Sequence, residues 1–227
     1  MHKFSRFTTI VGDDLFDSLK DKCVLILGCG GVGGYVVEAL ARCGIGTLIL
    51  VDFDVIDETN INRQIIALDS TIGRKKVDVL CERVKDINKE CNVIRVEQFI
   101  DTDNLNCLFE FSIDYFVDAC DTVSTKKEVI MRCLQNEVPF ISCMGTGNKL
   151  DPSKLEITDI RKTVNDPLAR ILRKFVRDKG IESKVMVLTS TEVPIKTGSR
   201  TVGSTSFVPP SAGLLIASYI IRKFANL

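Results

Sequence analysis

The sequence predicts an α/β fold, a doubly wound and mostly parallel sheet with a basic C-terminal extension. Three observations carry this. Short apolar runs such as CVLIL (residues 23–27) and TLILV (47–51) recur along the chain, segments of helical periodicity separate them, and a glycine-rich turn, GCGGVGG (28–34), joins the first run to a long helix. With 227 residues, 45% hydrophobic and 26% charged, the chain has material for one such unit.

The elements come in order. Asp13 to Lys20 reads as a short amphipathic helix, Lys22 to Leu27 as a strand, and Val32 to Cys43 as a helix that Gly44 ends. Strand Thr47 to Val51 closes a βαβ unit. After the irregular stretch DVIDETNINRQ, a long helix is expected over Gly73 to Lys89, because Val77, Leu80, Val84 and Ile87 fall at helical spacing. Next come strand Asn92 to Phe99, a short helix near Thr102 to Leu108, strand Asp114 to Asp118, helix Thr125 to Asn136 and strand Pro139 to Cys143. Beyond the turn-rich joint GTGNKLDP lie strand Leu155 to Asp159, a basic helix between Asp166 and Gly180, strand Val185 to Leu188, a Gly/Ser/Thr-rich loop, and a last helix, Ser211 to Phe224. The apolar part of that last helix is shorter than the roughly 20 residues that span a bilayer. The expected organisation is a Rossmann-like core over residues 1–147 and a basic lobe, 148–227, that completes the same domain.

Composition excludes several chemistries. His2 is the only histidine, which argues against a Ser-His-Asp relay, a Cys-His pair or a histidine-ligated zinc. The nine cysteines show no CxxC pair, and the chain opens MHKFSRF without an apolar signal segment; reduced, mostly buried thiols in a cytoplasmic protein are expected, and no structural zinc. Net charge is zero but unevenly spread: residues 1–150 hold 17 Lys+Arg against 23 Asp+Glu, whereas 151–227 hold 13 against 7. Such asymmetry suggests a basic face for an anionic partner.

Gly28-x-Gly30-x-x-Gly33, with Gly31 between, comes after a strand and opens a helix, the fingerprint of a Rossmann-like nucleotide site. Asp52, at the end of the second strand, stands where ribose hydroxyls are held. The turn by itself admits NAD, FAD or ATP. The residues beyond Asp52 favour a triphosphate: Asp54, Asn60, Asn62, Arg63 and Gln64 gather at the mouth of the sheet, Lys76 adds a cation, and Asp121 in DACDT stands ready for magnesium. Hydride transfer gives no reason for such a cluster. Its best proton donor here, Tyr219-x-x-x-Lys223, lies near the end of the chain, after the sheet is complete.

The run GCGGVGGYVVEALARCGIGTLILVDFDVIDETNINRQ, with IGRKKVDVL and DACDT, is similar to the ATP-binding core of the ubiquitin-activating-enzyme-like superfamily. The resemblance implies ATP and magnesium as cofactors, with Asp52 at the ribose, Asn60 and Arg63 at the phosphates, Lys76 at the triphosphate and Asp121 on the magnesium. It also implies a homodimer, because Arg6 in FSRF resembles the arginine that members insert into the partner subunit's site. LDPSKLEITDI, KTVNDPLARILR and TSTEVP resemble the members of that superfamily that dehydrate threonylcarbamoyladenosine in tRNA. A tRNA partner is then implied, and Arg170, Arg173, Lys174 and Arg177, set opposite an apolar stripe of Leu168, Ile171, Leu172 and Phe175, are its expected contacts. A ubiquitin-like or sulfur-carrier protein stays open as the alternative substrate, and a sulfur-transfer protein as a further partner.

Overall fold

A computed structural model describes residues 2–227. Two short helices, α1 (Ser5–Val11) and α2 (Asp13–Leu19), precede β1 (Cys23–Leu27), α3 (Gly33–Arg42), β2 (Thr47–Val51), α4 (Lys76–Ile87) and β3 (Asn92–Val96). Then come β4 (Tyr115–Asp118), α5 (Val123–Gln135), β5 (Phe140–Cys143), β6 (Leu155–Asp159), α6 (Pro167–Asp178), β7 (Met186–Ser190) and α7 (Val208–Phe224).

The strands form one seven-stranded sheet in the order β3-β2-β1-β4-β5-β7-β6. All neighbours are parallel except β6 and β7. Because both faces of a parallel sheet are covered, its strands are apolar on both sides. Val24 and Ile26 of β1 enter one core with α3, α4 and α7, while Leu25 and Leu27 enter the other with α5 and α6. The chain moves outward from β1 to β2 and β3, then crosses to β4 on the other side of β1. That reversal opens a crevice at the carboxyl ends of β1 and β4, where open sheets bind ligands.

Every expected strand is present, the short helix expected near Thr102 to Leu108 is a 3-10 helix over Leu105–Glu110, α1 is an addition, and several ends differ for local reasons. The helix expected from Gly73 begins at Lys76, because Gly73 has φ +81° and Lys75 is extended. The strand expected to reach Phe99 stops at Val96. Helix α1 had no apolar periodicity to announce it. Helix α7 starts three residues early, at Val208, with Pro209 and Pro210 in its first turn, where missing N–H groups cost nothing. Among the described residues no helix is long and apolar enough to cross a membrane.

One buried charge ties α3 to α4. Glu38 accepts from Arg83 Nε at 2.6 Å and from Arg42 Nε at 2.7 Å. Burial pushes its carboxyl up, but Arg83 and then Arg42 outweigh that, and the net shift is downward. A lowered carboxylate stabilises fully above its unfolded pKa and loses that contribution as pH falls through the folded value. Glu38→Gln is therefore expected to cost about 1–2 kcal/mol at neutral pH, after allowing for partly exposed guanidiniums, and to flatten the acid limb of stability in denaturant titrations.

Candidate functional site

The site grows from the turn after β1. Gly28 has φ +91°, and a Cβ there would lie 2.7 Å from the Ala119 carbonyl oxygen on the loop after β4. A Cβ on Gly33 would sit 1.8 Å from the Gly28 carbonyl oxygen. These two glycines are demanded by the fold itself. Gly30 differs: the nearest atom to a Cβ there is Gln64 Nε2 at 3.7 Å, an ordinary contact distance, so a methyl group would fit. At Gly31 a Cβ would touch the stem of Arg63 and Pro209 at 3.3 Å.

Asp52, at the end of β2, is buried and binds the turn. Its Oδ2 accepts from Cys29 N at 2.7 Å and its Oδ1 from Asp54 N at 2.8 Å. Burial raises its pKa, against the pull of Lys76 and of those two backbone donors. Lys76 is itself buried at the start of α4, with Nζ 2.6 Å from Asp54 Oδ2. Asp54, the nearest carboxylate to serve as a general base, is thereby paired with a cation.

The DETNINRQ stretch forms a short 3-10 turn. Asn60 is buried, and its Oδ1 accepts from Asp57 N at 3.3 Å in a capping box. Arg63 Nη1 donates to the Thr59 carbonyl at 2.8 Å and to Asn62 Oδ1 at 2.9 Å. Asn62 Nδ2 in turn reaches the Ser204 carbonyl in the loop before α7, at 3.0 Å. Gln64 is buried beside Gly30, and its Oε1 has no hydrogen-bond partner among the described residues. A buried polar atom left without a partner beside a glycine turn is a feature that a ligand site can leave. Asp121 is exposed on the loop between β4 and α5. Asp52, Asp54, Asn60, Arg63, Gln64 and Lys76 are thus joined by contacts around the Gly28 turn, with Asp121 on the neighbouring loop.

Two expectations need correction. Arg173 is spent on the fold, donating to Thr163 Oγ1 at 2.7 Å and to the Thr163 carbonyl, so it is not a free cation. Ile171 is exposed, and the buried stripe of α6 is Ala169, Leu172 and Val176. Arg170, Lys174 and Arg177 are exposed, and Arg6 is exposed on α1. Tyr219 and Lys223 contact each other, with Nζ 5.3 Å from the ring centroid. They lie near Phe224, which packs on Tyr115 at the start of β4, the end of the sheet opposite the glycine turn. That removes the dehydrogenase donor.

The cysteines are all free and none is exposed. Burial pushes the thiols of Cys23, Cys43 and Cys91 up to about 11 and that of Cys143 to about 12, so none of these four is a ready thiolate. Two buried lysines were missed, Lys126 and Lys149, paired with Asp118 and Asp166. Lys126 left a signal, because it shares the stripe of Val129, Ile130 and Cys133 on α5, where a cation must find a partner. Lys149 lies in the GTGNKLDP turn and left none. Phe53 and Phe99 form an exposed edge-to-face pair, centroids 4.9 Å apart, past the ends of β2 and β3.

A nucleotide turn followed by this polar crest defines a class. The sequence pattern of the ThiF family matches residues 4–221, and the chain belongs to that family. It is 39% identical over 238 residues to a tRNA threonylcarbamoyladenosine dehydratase of Bacillus subtilis, covering 97% of this chain and 94% of that one. An Escherichia coli protein of the same name is 38% identical over 172 residues, 76% of this chain and 64% of its own. A crystal structure of the E. coli tRNA N6-threonylcarbamoyladenosine dehydratase in complex with ATP superposes with a TM-score of 0.93 at 34% identity, covering 99% of this chain and 94% of that one.

The two kinds of glycine are separable by experiment. Gly28→Ala is expected to lose about 1–3 kcal/mol in chemical denaturation, since the turn must move off Ala119. Gly30→Ala should stay within about 0.5 kcal/mol of wild type, so that any activity it loses reports on ligand space.

Proposed function

We propose that this chain catalyses the ATP-dependent dehydration of threonylcarbamoyladenosine in tRNA, activating the threonyl carboxylate as an adenylate. The observation that carries the reading is the crest: a phosphate-type glycine turn ringed by Lys76, Arg63, Asn60 and Gln64, whose own thiol, Cys29, is fully buried. The near full-length likeness to dehydratases supports the substrate. A threonyl carboxylate oxygen attacks the α-phosphate of ATP, and the bond to the departing pyrophosphate breaks. A carbamoyl heteroatom of the same side chain then attacks the activated carbonyl carbon, AMP leaves with the former carboxylate oxygen, and the ring closes. Both reactants of the second step belong to one residue, so orientation does the work of an enzymatic nucleophile.

Asp52 holds the ribose in this reading, from a carboxylate already fixed by Cys29 N and Asp54 N. Arg63 and Lys76 meet the charge that grows on the phosphates. The exposed Asp121 carboxylate suits magnesium, which takes one or two carboxylates and fills the rest of its shell with water and substrate phosphates. When bound, the ion would neutralise the phosphate charge. Arg6, exposed and free of ion pairs among the described residues, acts in the site of a second copy, which makes the protein a homodimer.

The RNA lies along α6. Surface grooves flank this helix on both sides. One, of about 720 Å³, is lined by Arg161, Arg170, Arg173, Lys174 and Arg177, the other, of about 660 Å³, by Lys127, Arg170, Lys174 and Lys179. Arg170 and Lys174 border both, forming a cationic ridge suited to phosphate oxygens.

The direct test is mass spectrometry of nucleosides from tRNA incubated with the protein and ATP. Loss of one water from threonylcarbamoyladenosine is expected. Pyrophosphate exchange stimulated instead by a small protein ending in Gly-Gly would overturn the substrate assignment.

Arg63→Ala and Asp121→Ala are each expected to remain folded and to lose about 3–4 kcal/mol of transition-state stabilisation, at least a hundredfold in rate. Either one retaining a tenth of wild-type activity would contradict its role. Mixing Arg63→Ala with Arg6→Ala protomers should restore about a quarter of the sites if Arg6 acts across a two-fold interface.

Arg170→Glu with Lys174→Glu is expected to weaken tRNA binding and to reduce its salt slope by roughly 0.7–0.9 for each phosphate that is no longer neutralised, with ATP affinity unchanged. Equal binding across a salt titration would remove α6 from the RNA face.

A further inference from the structure

The most deeply buried ion pair of the molecule lies directly beneath the crest. Lys126 on α5 and Asp118 at the end of β4 both have fully buried side chains. Lys126 Nζ donates to both Asp118 oxygens at 3.0 Å, to the Cys143 carbonyl at the end of β5 at 2.8 Å and to Ser142 Oγ at 3.3 Å. Ser142 Oγ donates to Asp118 Oδ2 at 2.5 Å, and Cys120 N donates to Asp118 Oδ1 at 3.3 Å. Burial alone would pull the Lys126 ammonium down, but the facing Asp118 carboxylate holds it above its ordinary value. The Lys126 ammonium thus keeps its charge although its side chain is fully buried.

Stability does not require such a pair. Desolvating two charges offsets most of their attraction, and apolar replacements of similar volume are often as stable or more so. What the pair does is geometric. It binds the ends of β4, β5 and α5 through one ammonium, and it fixes the Ala119–Cys120 peptide from below. That same peptide is the surface on which Gly28 rides, with the Ala119 carbonyl carbon and Cys120 N within 2.8 and 2.9 Å of where a Gly28 Cβ would be. Asp121 is the next residue.

We propose that Asp118 and Lys126 are positioning residues for the adenylation step, holding the Ala119–Cys120 peptide so that the Gly28 turn and Asp121 keep their relative placement. The inference rests on the functional reading given above. Neither residue touches substrate; both act through the loop they support. A misplacement of about 1 Å at a reacting group can cost on the order of a hundredfold in rate, so a small relaxation of this loop has a large kinetic consequence.

The test replaces the pair by apolar residues in the full chain, Asp118→Leu with Lys126→Met, and measures thermal unfolding, ATP affinity by calorimetry, and the rate of tRNA dehydration. The expected result is a melting temperature at or above that of wild type, ATP affinity within about threefold, and kcat reduced at least tenfold. Ser142→Ala, which removes one support of Asp118 and leaves the ion pair, should lower kcat by a smaller factor with the KM for ATP unchanged. A folded double variant with wild-type kcat overturns the inference, and so does a double variant that fails to fold, since the pair would then serve stability. A wild-type protein that leaves threonylcarbamoyladenosine unchanged in tRNA sinks the functional reading, and the inference with it.

Discussion

The closeness of the Gly28 α-carbon to the Ala119–Cys120 peptide constrains everything built above the sheet. β1 and β4 are hydrogen-bonded neighbours, so the turn leaving β1 must pass over the loop leaving β4 with no room for a side chain between them. Gly33 then crosses the Gly28 carbonyl so that α3 can start at once. Asp52 reaches across from β2 to accept from Cys29 N, and so fixes the far side of the same turn. Three strand ends thus converge on one loop, where Gly28 N is taken up by the Val51 carbonyl and Cys29 N by Asp52. The polar residues of the DETNINRQ stretch are arranged around it.

Much of this was legible in the sequence because the signals were short-range. Apolar runs of five residues marked β1 and β2, the glycine spacing marked the turn, and Asp52 stood at a fixed distance behind it. Long-range consequences were not legible. That Gly30 has room for a Cβ while Gly28 and Gly33 are packed against backbone depends on β4 and on the helix start, and the motif treats all three alike. Arg173 looked like its neighbours on a helical wheel, but Thr163, ten residues earlier, captures it through a turn no periodicity describes. Asp54 and Lys76 belong to one polar cluster in the sequence, but only the placement of α4 shows that they pair with each other. In each case the sequence showed which chemistry a residue owns, and tertiary packing decided whether that chemistry was already used.

The buried polar groups divide along the same line. Glu38 with Arg83 and Arg42 joins two helices far from the glycine turn and behaves as a stabilising contact. Asp166 works as an anchor instead. It caps α6 through Ala169 N, accepts from Gly145 N at the end of β5, and pairs with Lys149 at 3.5 Å. The helix that carries the exposed cations is therefore fastened just ahead of its first turn to the segment after β5, by a carboxylate rather than by a flexible linker.

The packing of α7 on α3 has a consequence in time. Gly213 lies so close to Val32 and Tyr35 that a Cβ there would meet the Val32 carbonyl oxygen at 2.4 Å, which means that α7 backs the helix that the glycine turn opens. β7 likewise slots between β5 and β6, both made earlier. A nascent chain emerging from the ribosome exposes its glycine turn early, and β1 and α4 can pack on the helix behind that turn well before α7 has been translated. A product cut short before α7 would carry every residue of the fingerprint with the face of α3 that Gly213 covers left bare.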